Sequence, residues 1–465
     1  MYPTFDGKSF DLHAASLKPS GQGERVSRIM NAALQAVAPH AAVRRFLQRE
    51  GDTLFIGDRK HDLTAFRRVF IVGAGKAGAP MAWAVAEVLG EHLSDGVVIA
   101  KEGYLSPDLR AHQSPNLLIT QAGHPLPDER GVQGAQQILD LLENTQADDL
   151  VIAVISGGAS ALLVSPAEGL TLADLQGMTS VLLACGADIY AINTLRKHCE
   201  RLKGGQLAQQ AAPATVVTLI LSDVVGDSLE VIGSGPTVPD PTTYADAYAV
   251  LKRYDIEQQV PPAIVQHLRR GLRHDIPETP KPEDPLFSRV HHLLVGSNRQ
   301  AAEAALAQAR AEGFHTLLLT TFLQGEARQA GRFLAAIARE IVAHGQPLPR
   351  PTCIIAGGET TVTLHGAGGL GGRNQELALG AVKDLAGLPE IALMTLATDG
   401  GDGPTNAAGA VVTGETLARA RSLGLDPADY LARNDAYHFF EKLGDLLKPG
   451  PTQTNVNDLA IIFAF

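Results

Sequence analysis

Cysteine and aromatic residues are scarce in this sequence. Its 465 residues include 3 cysteines and 1 tryptophan, and aromatic residues make up only 5%. The cysteines, Cys185, Cys199 and Cys353, are far from C-x-x-C spacing and cannot form an even disulfide framework. We therefore expect three buried thiols in a reducing compartment, which predicts a cytoplasmic protein.

Long apolar runs and an excess of positive charge are missing as well. The longest apolar stretches, such as VVTLIL and IALMTLA, fall far below the roughly 18 residues of a membrane span, and no apolar run follows a basic start at the N-terminus. There are 39 Lys and Arg against 50 Asp and Glu, a net charge of −11 that would repel nucleic acid and anionic lipid. We expect neither as a partner.

Several common signatures of nucleotide and zinc enzymes are also absent. The sequence has no G-x-x-x-x-G-K-[ST] loop, no protein-kinase catalytic loop and no H-E-x-x-H pair, which excludes those classes. It does have 45% hydrophobic and 19% charged residues, the composition of a globular protein. At roughly 100 to 200 residues per domain, we expect two domains.

From residue 67 onward, short Val/Ile/Leu runs alternate with Ala-rich helical segments. This alternation predicts a parallel sheet with helices on both faces. The proline-rich segment 273–287 precedes a second α/β region, in which HHLLVGS and tandem strands such as CIIAGGETTVTL indicate a mixed sheet. We therefore predict an α/β fold of two domains, a Rossmann-like one at residues 1–275 and a mixed one at residues 276–465.

The segment GAGKAG leaves an apolar strand and enters a helix. Gly73, Gly75 and Gly78 match the G-x-G-x-x-G fingerprint, in which backbone amides approach a pyrophosphate. Taken alone the motif is weak and leaves a nicotinamide-dependent enzyme open, with Glu102 near the position of a ribose ligand. Lys76 favours contact with a transferring phosphate or a substrate carboxylate, with a solvated surface lysine as the alternative.

Two further segments of the first half carry candidate ligand-binding residues. ISGGAS follows another strand and opens toward a helix, where its candidates are Ser156, Gly157, Gly158 and Ser160. A tight strand-to-helix turn is the alternative for the serines. In INTLRKHCERLKGGQLA, the spacing of Arg196 and Lys203 predicts one cationic helix face, which would meet an anionic ligand or simply face solvent.

Carboxylates follow buried strands in both halves of the chain. Asp223 and Asp227 come after ATVVTLIL, and Asp399 and Asp402 lie among the glycines after IALMTLA. At strand ends, carboxylates commonly handle metal ions or reacting hydroxyls, although Asp223 could instead cap a helix. Asp399 and Asp402 offer the hard oxygen ligands that Mg²⁺ with nucleotide phosphates requires; a structural turn is the alternative.

The segment AGGETTVTLHGAGGLGGRNQELAL is dense in glycine, which packs little and costs chain entropy. We therefore expect the backbone to approach a ligand there, with Gly358, Glu359 and Asn374 as binding residues. Arg373, just before a helix, is placed to clamp a phosphate or a carboxylate. His124, in GHPLPDERG, has no serine or cysteine partner nearby, and we treat it as structural or substrate-lining.

Together these motifs resemble those of a known family, the class II glycerate kinases or glycerate 2-kinases, whose C-terminal half carries a MOFRL domain. LSDVVGDSLEVIGSGPT, ATDGGDGPTNAAGA, NDAYHFF and TNVNDL add to the resemblance, and the motifs run in the same order over residues 70–460. The resemblance implies a MOFRL region at about residues 350–460 and an active site in the cleft between two domains.

The resemblance also implies a reaction, the transfer of the ATP γ-phosphoryl group to the 2-hydroxyl of D-glycerate. The family's functional positions fall on Lys76, Asp223, Arg373 and Asp399. We expect Lys76 and Arg373 to supply positive charge, Asp399 with Asp402 to hold Mg²⁺, and Asp223 to orient or deprotonate the hydroxyl or to bind the metal.

Some members of this family have been labelled hydroxypyruvate reductases. Reduction of hydroxypyruvate with NAD(P)H is therefore the second hypothesis, which the G-x-G-x-x-G match makes tempting. Either enzyme would take small-molecule substrates. The sequence leaves the oligomeric state open, with a homodimer as one option.

Overall fold

The structure is a computed structural model that describes residues 10, 12–18, 21–105, 114–364, 366 and 368–465. Its contacts divide the chain into two compact units. The first unit is Pro39–Val295, and the second is Gly296–Phe465 together with the described residues up to Ala38. His365 and Ala367, in the glycine-rich segment, lie outside the described residues.

Helices occur in both units. In the first unit they are α2 (Pro39–Phe46), α3 (Gly78–Leu89), α4 (Glu129–Leu142), α5 (Ala159–Leu162), α6 (Leu172–Ala184), α7 (Ile189–Cys199), α8 (Gln206–Ala211), α9 (Tyr244–Arg253) and α10 (Pro262–Leu272). In the second unit they are α1 (Gly23–Ala36), α11 (Asn298–Ala311), α12 (Ala327–His344), α13 (Arg373–Leu385), α14 (Thr416–Ser422), α15 (Pro427–Ala432) and α16 (Ala436–Leu443).

The strands form separate sheets. Those of the first unit are β1 (Leu47–Glu50), β2 (Thr53–Ile56), β3 (Arg59–Asp62), β4 (Arg68–Gly75), β5 (Asp95–Lys101), β6 (Leu118–Ala122), β7 (Asp149–Ser156), β8 (Thr215–Leu221) and β9 (Val290–Gly296). Those of the second are β10 (His315–Leu323), β11 (Thr352–Gly358), β12 (Ile391–Ala397), β13 (Gly409–Thr413), β14 (Leu446–Leu447) and β15 (Asp458–Ala464).

The main sheet of the first unit has the strand order β6-β5-β4-β7-β8-β9 among the described residues, and neighbouring strands from β6 to β8 pair in parallel. Every residue of β7 is buried, so both faces of the sheet are covered, as parallel sheets require. Counted along the chain, this order is 3-2-1-4-5-6, that of doubly wound nucleotide-binding folds. The predicted parallel sheet is confirmed.

In doubly wound sheets the strand order reverses at a switch point, and ligands bind beyond the carboxyl ends of the strands there. In this sheet the switch point lies between β4 and β7. A small antiparallel sheet, β1-β2-β3, precedes the main sheet. These three strands are short and largely polar, and they were not predicted from the sequence.

The predicted boundary after residue 275 precedes β9, the strand that completes the first sheet. The segment HHLLVGS, predicted from the sequence to lie in the second half, therefore belongs mainly to the first unit. At the other end of the chain, α1 packs against α11 of the second unit. Both features depend on tertiary packing of amphipathic segments, which the apolar pattern alone does not assign to one sheet or another.

The second sheet has the order β10-β11-β15-β12-β13-β14 in the part of the chain described. Only β10 and β11 pair in parallel, and the other neighbours pair antiparallel, which confirms the mixed sheet. The prediction of tandem strands in CIIAGGETTVTL is wrong. The strand β11 ends at Gly358 and pairs with β15 instead, and Thr361 forms an isolated bridge with Glu326.

No described helix is both long and apolar enough to cross a membrane. Cys199 and Cys353 are buried free thiols, whereas Cys185 is partly exposed. Burial raises the pKa of the Cys199 and Cys353 thiols, so both stay protonated and inert near neutral pH.

Candidate active site

Five residues at the carboxyl edge of the first sheet come from four different strand ends. Lys76 comes directly after β4, and Gly157 and Gly158 come directly after β7. His124 and Asp223 are each the second residue after their strands, β6 and β8. Because these strands are parallel members of one sheet, their carboxyl ends share one edge. Lys76 and Gly157 flank the switch point, where open α/β sheets bind their ligands.

The turn after β7 is where these side chains meet. A Cβ atom on Gly157 would lie 1.9 Å from Oδ2 of Asp223, and one on Gly158 would lie 3.0 Å from Cδ2 of His124 and 3.4 Å from Cγ of Lys76. Gly158 also has φ +84°, a backbone conformation that favours glycine. The two glycines thus allow a carboxylate, an imidazole and a lysine to approach one turn.

Positive charge dominates around His124. Lys76 lies on one side, and Lys101 ends β5, the strand between β4 and β6. Burial and the charges of both lysines lower the pKa of His124 to about 4, so its imidazole is neutral at pH 7. None of the described residues forms a hydrogen bond or an ion pair with the Lys76 ammonium, so its charge is available to an anionic ligand.

Strand and helix packing accounts for four of the predicted ligand-binding glycines. A Cβ atom on Gly73, Gly75 or Gly358 would lie 2.0, 2.0 or 2.2 Å from an atom of the neighbouring strand. A Cβ atom on Gly78, at the start of α3, would lie 3.2 Å from a side chain of β5. Close approach within the fold therefore explains these glycines without a ligand.

The backbone amides of the GAGKAG segment are also engaged within the protein. The Lys76 N–H donates to the Gly157 carbonyl over 2.8 Å, and the Ala77 N–H donates to Oγ of Ser156 over 3.0 Å. These bonds tie the turn after β4 to the turn after β7. Amides that a dinucleotide fingerprint would offer to a pyrophosphate are thus already used, and Ser156 acts as a structural acceptor.

Ser160 belongs to a small hydrogen-bond network. Its Oγ lies 2.9 Å from Oγ of Ser234, which in turn donates to Oδ1 of Asn193 over 2.9 Å. Ser234 is fully buried with φ +63°. The network holds the loop after β8 against α5 and α7, which favours the strand-to-helix turn reading of Ser160.

The predicted cationic helix face is wrong, because α7 ends at Cys199 and Lys203 lies beyond it. Lys203 is completely buried, forms an ion pair with Glu200 at 2.5 Å and donates to the Leu163 carbonyl over 2.9 Å. A buried cation with these partners is a structural element. Arg196 remains on α7, where burial lowers the pKa of its guanidinium.

In the second unit, Arg373 begins α13 and is held by two carboxylates. Its Nε lies 2.5 Å and its Nη2 3.3 Å from the oxygens of Asp458, and its Nη1 lies 2.6 Å from Oε1 of Glu359. Burial opposes the charge of Arg373, yet these carboxylates raise its pKa. Asp458 was missed in the sequence, although a carboxylate that opens the wholly apolar strand LAIIFAF is a detectable signal.

Asp402 caps the amino terminus of α13. Its buried carboxylate accepts the backbone N–H groups of Asn374 at 3.1 Å and Gln375 at 2.9 Å, and the Asn374 side chain lies 3.4 Å away. Burial raises the pKa of Asp402 to about 7. Asn374 is therefore a partner of Asp402 rather than an open ligand-binding amide.

The structure allows a test of the predicted magnesium ligands. Within the described residues, no three His, Cys, Asp or Glu side chains are placed to hold a metal ion. Mg²⁺ is usually bound through one or two carboxylates with substrate phosphates and water, so a single carboxylate would suffice. Asp399 fits this requirement, since it is partly exposed and, among the described residues, its carboxylate accepts only the Gly401 N–H, at 3.1 Å, whereas Asp402 is engaged by α13.

Two known families match the sequence. A domain of unknown function, DUF4147, matches residues 25–269, and the MOFRL family matches residues 352–458. A glycerate 2-kinase of Pyrococcus horikoshii is 41% identical over 434 residues, which are 93% of this chain and 95% of that protein. A putative hydroxypyruvate reductase of Agrobacterium vitis is 43% identical over 85% of this chain and 87% of that protein.

The fold also has a counterpart among solved structures. The crystal structure of a glycerate kinase from Thermotoga maritima aligns with a TM-score of 0.85 at 39% sequence identity. The alignment covers 96% of this chain and 100% of that one. The likeness therefore extends over both compact units.

Proposed function

The chain belongs to the class II glycerate kinase family, and we propose that it transfers the γ-phosphoryl group of ATP to the 2-hydroxyl of D-glycerate, giving 2-phosphoglycerate and ADP. The observation that carries the proposal is the Lys76 ammonium, which has no partner among the described residues, at the turn that Asp223 and a neutral His124 also approach. An anionic substrate with hydroxyl groups matches that combination of side chains.

The acceptor substrate is assigned to this edge of the first sheet. Lys76 attracts the glycerate carboxylate or the charge that develops on the transferred group, and Asp223 orients the 2-hydroxyl or accepts its proton. Phosphoryl transfer depends mainly on positioning and on charge around the phosphate oxygens. Fixed side chains at strand ends meet that need without covalent chemistry.

The residues of the second unit are assigned to the nucleotide phosphates. Three of the five N–H donors of Arg373 bind Asp458 and Glu359, and the other two can donate to a phosphate. Asp399 would hold Mg²⁺, which supplies positive charge to the phosphates when it is bound. Asp458 and Glu359 fix the plane of the guanidinium and so its direction of approach.

Two observations favour the kinase over a nicotinamide-dependent reductase. The amides of Lys76 and Ala77 are engaged by the turn after β7, whereas dinucleotide folds direct such amides at a pyrophosphate. Glu102, the candidate ribose ligand, forms an ion pair with Arg130 at 2.8 Å. The amides of the G-x-G-x-x-G segment and the Glu102 carboxylate, which together suggest a dinucleotide site, therefore already have partners within the protein.

A cytoplasmic location, with D-glycerate and ATP as the small-molecule partners, also belongs to this proposal. The free thiols support the location. The net charge of −11 disfavours nucleic acid as a partner. A homodimer stays an open option.

The proposal is tested by incubating the purified protein with D-glycerate, ATP and Mg²⁺ and coupling the products to enolase, either alone or with phosphoglycerate mutase. We expect phosphoenolpyruvate with enolase alone, because enolase acts on 2-phosphoglycerate. A signal only with the mutase would move the phosphoryl group to the 3-hydroxyl. No signal in either assay, with oxidation of NADH on hydroxypyruvate, would overturn the kinase assignment.

A further inference from the structure

His124 lies at the proposed acceptor site without a task of its own so far, and its backbone is firmly placed. The loop after β6 is anchored by Asp128, whose carboxylate accepts the Gly123 N–H at 3.0 Å and the Gly131 N–H at 3.1 Å. The second bond caps α4, so the residue before His124 is tied to the start of a helix. The backbone at His124 is therefore held between a strand and a helix.

The ring itself is uncommitted. Neither nitrogen of His124 has a hydrogen-bond partner among the residues described, and the ring is only partly buried beside Gly158. His267 of the same unit, by contrast, does have such a partner, the His198 carbonyl at 2.8 Å. A ring nitrogen that lies by Gly158 with no partner in the described part of the chain can serve a ligand.

The charges around His124 indicate what kind of ligand group it suits. Lys76 already provides a cation for an anionic group, and the charges of Lys76 and Lys101 oppose a further positive charge on the imidazole. A neutral imidazole offers one N–H donor and one nitrogen acceptor, which matches a neutral hydroxyl rather than a carboxylate. Asp223 lies against Gly157, the adjacent residue of the turn, and is assigned to the 2-hydroxyl.

We propose that His124 hydrogen-bonds the 3-hydroxyl of the acceptor substrate and thereby makes the enzyme prefer a 2,3-dihydroxy acid to a 2-hydroxy acid. This inference rests on the proposed function and on the acceptor lying at this edge of the first sheet. A site built to bond a hydroxyl discriminates against an analogue that lacks it, because the polar group of the site then loses its partner. His124 is thus a specificity residue that contacts the substrate.

The matched probe is D-lactate, which has the carboxylate and the 2-hydroxyl of D-glycerate but a methyl group in place of the hydroxymethyl. The ratio of kcat/KM for D-glycerate to that for D-lactate is measured from ADP formation by ³¹P NMR. For His124→Ala we expect this ratio to fall about tenfold, the effect of one neutral hydrogen bond. For His124→Gln, which keeps a donor and an acceptor, we expect a smaller fall. The exposed His344→Ala serves as the control and should leave the ratio unchanged.

A purely structural role of His124 would lower both kcat/KM values together and leave their ratio unchanged, which would overturn the inference. A wild-type protein without activity on D-glycerate would instead overturn the proposed function. If the variants fail to fold, a measurement on the wild-type protein still tests the inference. The side-chain ¹⁵N resonances of His124 should shift with D-glycerate and much less with D-lactate, and equal shifts would also contradict the assignment.

Discussion

The two groups of proposed site residues differ in how their charges are engaged. At the edge of the first sheet, no described residue pairs with the Lys76 ammonium, and the His124 ring is neutral. In the second unit, Arg373 is bound by Asp458 and Glu359 before any ligand arrives. The first group therefore has charge available for a substrate, whereas the second is an ion network that also stabilises the fold.

Lys76→Met should have the largest effect on activity and separates function from stability in the first group. We expect kcat to fall by about 10²–10³-fold, the usual cost of losing one charge-stabilising donor at a reacting group. The free energy of unfolding should change by no more than about 0.5 kcal/mol, since no ion pair is lost. Steady-state kinetics measures kcat and urea denaturation measures the free energy of unfolding, with the exposed Lys60→Met as control. A large loss of stability with near-normal kcat would reverse the comparison.

Arg373→Ala should reduce both activity and stability, in contrast to Lys76→Met. Removing the guanidinium leaves Asp458 unpaired, and burial already raises the pKa of that carboxyl. Breaking a buried pair costs about 3–5 kcal/mol; because the Arg373 side chain is 32% exposed, we expect about 2 kcal/mol. The double variant Arg373→Ala with Asp458→Asn should recover stability but not activity. Unchanged stability of the single variant would show that the network does not support the fold.

The pH dependence of stability gives the smallest effect and tests the neutral state of His124. Its pKa is near 4 in the folded protein, below the ordinary value of 6.5, so the unfolded chain binds more protons between these values. Stability from this group is therefore present above about pH 6.5 and is lost as the pH falls toward 4. Allowing for solvent at this partly exposed ring, we expect the wild type to lose about 1 kcal/mol more than His124→Gln between pH 7.5 and 5. Parallel losses in both proteins would mean an ordinary histidine.

The sequence predicted those features that follow from local periodicity and strand ends. The parallel sheet and the placement of Lys76 and Asp223 beyond buried strands could be predicted because apolar runs mark the strands and polar residues end them. The hydrogen-bond or ion-pair partner of a given side chain could not be predicted. The buried ion pair of Lys203 and the capping bonds of Asp402 depend on where separate segments meet.

Glycine spacing was the least informative signal about ligands. In GAGKAG the sequence pattern suggests a pyrophosphate loop, but Gly73 and Gly75 face the neighbouring strand β7 at distances that exclude a side chain. Close backbone packing and ligand approach require the same absence of a Cβ atom. A sequence cannot separate these two causes, and only the distances around each glycine do so.

The most direct test of the account is a crystal structure of the protein with D-glycerate and ADP. We predict that the glycerate carboxylate lies by Lys76, with its hydroxyls toward Asp223 and His124 at the turn formed by Gly157 and Gly158. Glycerate bound elsewhere, with a nucleotide pyrophosphate at this turn, would contradict the assignment of the first-unit edge to the acceptor substrate.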